Sequence, residues 1–148
     1  VTAPSDSEHG PAASPRASRG SFVRDVLPAL VWTAAVFVLG GGPTPGPSLD
    51  FSIPLDKIEH AIAFAILQVL ALRALRYELP GVLPRGMPWI AAATSTVVGA
   101  ALELYQLSVP NRSAELADLV WDAIGAGIAA LVTARLALQS WKERSRSS

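Results

Sequence analysis

The sequence predicts an all-α fold: a polytopic membrane protein of four transmembrane helices with both termini cytoplasmic. Three observations carry this. Four apolar stretches of roughly twenty residues each are long enough to span a bilayer. Clusters of Pro and Gly separate them, as at Gly40 to Pro47 and Pro80 to Pro88. Basic residues collect on alternate sides of the stretches. Composition agrees: the chain is 51% hydrophobic and 16% charged, with mean hydropathy +0.38, whereas soluble domains are about a quarter charged. A soluble bundle would show a broad polar face on each helix, yet residues 90–102 offer only Thr94, Ser95 and Thr96.

Residues 1–22, with Pro4, Pro11, Pro15 and many Ser and Ala, are expected to be a disordered cytoplasmic tail. No small-x-small cleavage site follows the next apolar run, so no cleavage is expected. The transmembrane domain covers 23–140. Its first helix, about 23–41, has Pro28 in its first turn, where a missing N–H is tolerated. The second, about 56–76, opens with Asp56 at the N-cap and Glu59 completing a capping box. Arg73 and Arg76 suit its carbonyl end. The third, about 88–107, carries Trp89 and Tyr105 at opposite interfaces. The fourth, about 114–138, has Ser113 as N-cap. A basic cytoplasmic tail, 141–148, closes the chain with Lys142, Arg144 and Arg146.

Counting charges sets the orientation. Ten of the twelve basic residues fall on one side: Arg16, Arg19, Arg24, Arg73, Arg76, Arg85, Arg135, Lys142, Arg144 and Arg146. Lys57 and Arg112 fall on the other. That asymmetry places both termini in the cytoplasm and the loops 42–55 and 108–113 outside. Net charge is zero and no basic stripe exists, so nucleic-acid binding is disfavoured. The absence of Cys removes disulfides, thiolate metal sites and thiol catalysis. Ten Arg against two Lys, with abundant Ala, reads as a GC-rich bacterial gene, and a translated GTG start at Val1 would fit that expectation.

Three stretches place costly polar groups in apolar helices, where such groups usually serve function. The first is Asp56-Lys57-x-x-His60, in which Asp56, His60 and Phe64 share a helix face. A carboxylate one turn from an imidazole orients it or binds a cation with it. The bland alternative, a cap plus an interfacial histidine, carries at least equal weight. The second is Glu103-x-x-Gln106, whose glutamate needs a partner, with Arg112 or Lys57 nearest by level. Its bland alternative is an ion pair tying two helices. The third joins Arg112 to Glu115, Asp118 and Asp122, with Gly125 continuing the acidic face. Asp118 is expected either to function or to form a buried pair with Arg112, and Gly125 and Gly127 to permit close helix packing. Helix levels at about 1.5 Å per residue put Asp56, His60, Glu103, Asp118 and Asp122 in one outward layer. No His-and-acid spacing supports a metal, and no cofactor is expected.

These motifs together resemble the VanZ-like family of bacterial membrane proteins. The resemblance rests on Asp56-Lys57-x-x-His60 with Phe64, on Glu103-x-x-Gln106, on Pro110-x-Arg112, and on Glu115, Asp118 and Gly125. It covers roughly residues 50–130. It implies a cell-membrane location and the shared polar cluster. One member of the family raises resistance to the glycopeptide teicoplanin. Two positions depart: an asparagine usually stands where this chain has Asp122, and a glycine is common near Ala129.

The leading functional expectation is a non-enzymatic, outward-facing site for a cell-wall precursor or lipid headgroup. Asp56, Lys57, His60, Glu103, Gln106, Arg112, Glu115, Asp118 and Asp122 would form it. Lys57 and Arg112 would meet phosphate or carboxylate. One alternative is a small membrane enzyme on a lipid-linked substrate, with His60 as general acid or base oriented by Asp56. No Ser or Cys nucleophile stands beside it in a known motif. A second alternative is a structural subunit whose charges only pair helices. The surrounding membrane lipids are partners in every case. The sequence does not choose the ligand or the oligomeric state.

Overall fold

A computed structural model describes residues 19–42, 55–79, 86–110 and 112–146. Expectations for residues 1–18, for most of the loop 42–55 and for residues 80–85 lie outside them. The described residues are helical apart from short connections: α1 (Arg19–Asp25), α2 (Leu27–Gly40), α3 (Leu55–Glu78), α4 (Met87–Gln106) and α5 (Leu116–Arg146). Four spans are long and apolar enough to cross a membrane: Phe22–Gly40, Leu55–Glu78, Met87–Gln106 and Leu116–Ser140. Large apolar side chains such as Val38, Leu39, Val97, Leu104 and Val132 face outward, as a bilayer solvent requires.

Helices α3, α4 and α5 pack mutually, and α2 lies outside them, mainly along α3. Small residues set the approach of α4 and α5: Ala92, Ala126 and Ala130 form a buried seam. Gly125 does the same for α3 and α5, since a Cβ there would overlap the Ala61 carbonyl. Gly127 has nothing within 4 Å of its Cβ position, so only one of the two glycines serves packing. Phe64, Leu67, Leu102 and Val36 fill the centre beneath the polar layer. The Trp32 indole N–H donates to the Ala63 carbonyl at 2.9 Å and fastens α2 to α3.

Several boundaries differ from the sequence expectation. The first span is broken at Val26, which separates α1 from α2, and α1 already begins at Arg19, inside the expected tail. Pro28 explains the break. It has no N–H to donate to the Arg24 carbonyl one turn back, and Arg73 fills that vacancy from α3 at 2.9 Å. Arg73 also pairs with Asp25 at 3.1 Å. Helix α3 begins at Leu55, so Asp56 lies within the first turn rather than at the cap. Helix α5 begins at Leu116, leaving Ser113 outside it, and runs on through Arg146 into the expected basic tail.

Candidate functional site

The N-terminal turns of α3 and α5 and the last turn of α4 meet at one end of the bundle. The charged groups there fall into two sets. In the first, Lys57 of α3 reaches across to α5. Its ammonium contacts Glu115 at 2.8 Å, Asp56 at 3.2 Å, and Asp118. One turn deeper, His60 Nδ1 lies 2.8 Å from Asp122 Oδ1. With the carboxylate accepting, Nδ1 is the donor and Nε2 is left as the free nitrogen. Nε2 faces Asp118 Oδ2 at 3.7 Å, beyond a direct hydrogen bond. Glu103 of α4 joins this set through backbone: the Glu115 N–H donates to its Oε2 at 2.7 Å. That bond takes up one of the N–H groups that the start of α5 leaves without a helical partner.

The second set secures α2. Gln106 donates to the Gly40 carbonyl at 2.9 Å. Arg112 donates to the same carbonyl at 2.6 Å and to Gly42 at 3.1 Å. Cations suit the carbonyl end of a helix. Phe37 and Tyr105 stack beside this junction with ring centroids 5.7 Å apart.

Three expected pairings therefore change. Arg112 is the partner of neither Glu103 nor Asp118; it serves the end of α2. Asp118 pairs with Lys57. The imidazole is held by Asp122 of α5, while Asp56, on its own helix, pairs with Lys57. Asp56 and His60 do share a face, but Asp56 sits in the exposed first turn where Lys57 takes its carboxylate.

Two features were not singled out from the sequence. Gly99 makes room for Asp122, since a Cβ there would lie 2.6 Å from Asp122 Oδ2 and 3.2 Å from Phe64. Its place one turn before Glu103, on the same face, was a readable signal. Deeper in the bundle, Gln68 and Ser95 are fully buried. Gln68 donates to the Pro88 carbonyl at 3.2 Å.

Asp122 is 0% exposed and Glu103 6%. Among the described residues, four buried side-chain atoms have no hydrogen-bond partner: Asp122 Oδ2 and Glu103 Oε1 at the polar end, and Gln68 Oε1 and Ser95 Oγ deeper in the bundle. Asp56 and Glu115 are more open, and Lys57 pairs with both. No three or more His, Asp or Glu among the described residues are placed to hold a metal ion together.

The VanZ/LLP1 family model matches residues 11–137. The chain belongs to the VanZ/LLP1 family. No curated protein matches it, and no solved structure does. The family match covers the first three apolar spans and the fourth as far as residue 137, so the polar end described above is part of the matched domain.

Proposed function

We propose that this VanZ/LLP1 protein resides in the bacterial cell membrane with its polar end outward, and that this end binds a cell-envelope or lipid-headgroup ligand. The basic residues support the orientation. Among the described residues, Arg24, Arg73, Arg76 and Arg135 lie toward the opposite end of the bundle, and Lys57 and Arg112 share the polar end. One observation carries the binding reading. Two deeply buried carboxylates each keep an oxygen without a partner among the described residues, beside a partly open histidine. A purely structural charge network has no need of them, because an unsatisfied buried acceptor costs about 1–3 kcal/mol and more when charged.

The test is native mass spectrometry of the full chain purified in mild detergent. Wild type is expected to retain an envelope lipid or precursor that His60→Gln and Glu103→Gln lose at equal folded yield. Retention by both variants refutes the site. The link to glycopeptides is tested by expression in a teicoplanin-susceptible host, where a raised inhibitory concentration should fall back with the same variants.

The His60–Asp122 pair favours one second reading, a membrane enzyme. A carboxylate that fixes an imidazole and leaves Nε2 free is the geometry a general base needs. Turnover of labelled lipid-linked precursors by purified protein, abolished in His60→Ala, is its signature. No turnover with intact binding leaves the first reading.

A further inference from the structure

Resting on the binding reading above, we propose that the site takes a primary ammonium group, not a phosphate or carboxylate. Both cations that an anion would need are engaged. An ammonium has three N–H donors, and those of Lys57 face three carboxylates: Asp56, Glu115 and Asp118. Arg112 is turned away toward the Gly40 and Gly42 carbonyls. Acids outnumber these cations at the polar end: Asp56, Glu103, Glu115, Asp118 and Asp122 stand against Lys57, Arg112 and a titratable His60. An arriving anion would meet net repulsion in a medium where charges are weakly screened.

The unfilled valences at the polar end are carboxylate oxygens, which accept. Glu103 Oε1 and Asp122 Oδ2 are buried without a donor among the described residues. Whatever completes them must bring N–H or O–H groups, and positive charge with them offsets the excess of acid. A primary ammonium supplies both. A quaternary ammonium supplies charge but no N–H. An aminophospholipid and a soluble amine both carry this group, and the site chemistry is the same for both.

Phosphatidylethanolamine, phosphatidylcholine and phosphatidylglycerol separate the possibilities, because they share a phosphate and differ in the headgroup. Each is added to the delipidated full chain in detergent and binding is read by native mass spectrometry, with free ethanolamine as competitor. Phosphatidylethanolamine is expected to bind about tenfold or more above the other two, the scale of one lost charge-assisted hydrogen bond. Glu103→Gln and Asp122→Asn, which preserve shape, should each remove that preference while thermal unfolding shows an intact fold. If one variant unfolds, the other decides. Displacement by ethanolamine assigns recognition to the amine alone; its failure assigns it to the whole lipid, and either supports the proposal. Equal or stronger binding of phosphatidylglycerol that the variants still weaken overturns the ammonium assignment and leaves the site standing. Binding of every lipid that neither variant alters overturns both.

Discussion

Replacing Lys57 by Met isolates the electrostatics of the polar end, because one ammonium answers three carboxylates. The three are not equivalent. Asp56 and Glu115 side chains are 64% and 54% exposed, so their pairs with Lys57 contribute about 0–1 kcal/mol each. The Asp118 side chain is 11% exposed and that of Lys57 13%. Removing one partner of a buried pair costs about 3–5 kcal/mol, since the other is left charged in a poor solvent. The Nε2 of His60, 3.7 Å from Asp118, is near enough to offset part of that charge. The expected loss for Lys57→Met is therefore near the lower bound, about 3 kcal/mol. Asp118→Asn leaves Lys57 two carboxylates and should cost about 1–2 kcal/mol. If stranding of Asp118 is the cause, Asp118→Asn in the Lys57→Met background costs little or restores stability, with a coupling of about 2 kcal/mol. Equilibrium unfolding in mixed detergent–SDS micelles, followed by the fluorescence of the four tryptophans, measures all corners of this cycle. A Lys57→Met loss under about 1 kcal/mol with no coupling to Asp118 would refute the reasoning.

The glycines make a paired prediction. Gly125→Ala forces a methyl onto the Ala61 carbonyl and should destabilise by about 2 kcal/mol or more, whereas Gly127→Ala should be neutral or stabilising by up to about 1 kcal/mol. Gly99→Ala should cost about 1–3 kcal/mol, and less when Asp122→Ala removes the colliding carboxylate; thermal unfolding of the single and double variants reads this. Arg112→Ala should fray the end of α2, giving faster amide exchange at Gly41 and Gly42, whose N–H groups bond Phe37 and Leu39. Arg112→Lys should restore that protection only in part, because one ammonium cannot reproduce the two-carbonyl fork.

The four spans were legible because a bilayer demands length and apolarity, and both are written in composition. The polar layer was legible for a related reason. A charge inside a span is expensive enough to stand out, and helical rise assigns it a depth. Partner choice was not legible. Periodicity shows that Asp56 lies on the face of His60, but it says nothing of how α3 and α5 are rotated about each other. That rotation brings Asp122 to the imidazole. Arg112 was misread because side chains were weighed as partners and carbonyls were not. The free carbonyls at the end of α2 carry no mark in the sequence, although the glycines that expose them do. The start of α5 was misplaced for a like reason, since the Glu115 N–H has its partner in Glu103, on another helix.

The pairing pattern itself bears on what the polar end is for. Were the charges present only to tie helices together, each would be expected to end in a partner, because the unpaired alternative is the costly one. The upper part of the layer behaves so: Lys57 is matched to Asp56, Glu115 and Asp118, and Arg112 to two carbonyls. The lower part does not. Among the described residues, Asp122 and Glu103 are the most deeply buried acids, and each has one oxygen in use and one without a partner there. Gly99 makes room for one of those oxygens, which packs where a Cβ would lie. Stability alone would favour Asn at 122, which avoids burying a charge; the carboxylate there instead engages His60. The matched charges thus build the end of the bundle, and on the proposed binding reading the unmatched pair beneath them is where a ligand gains.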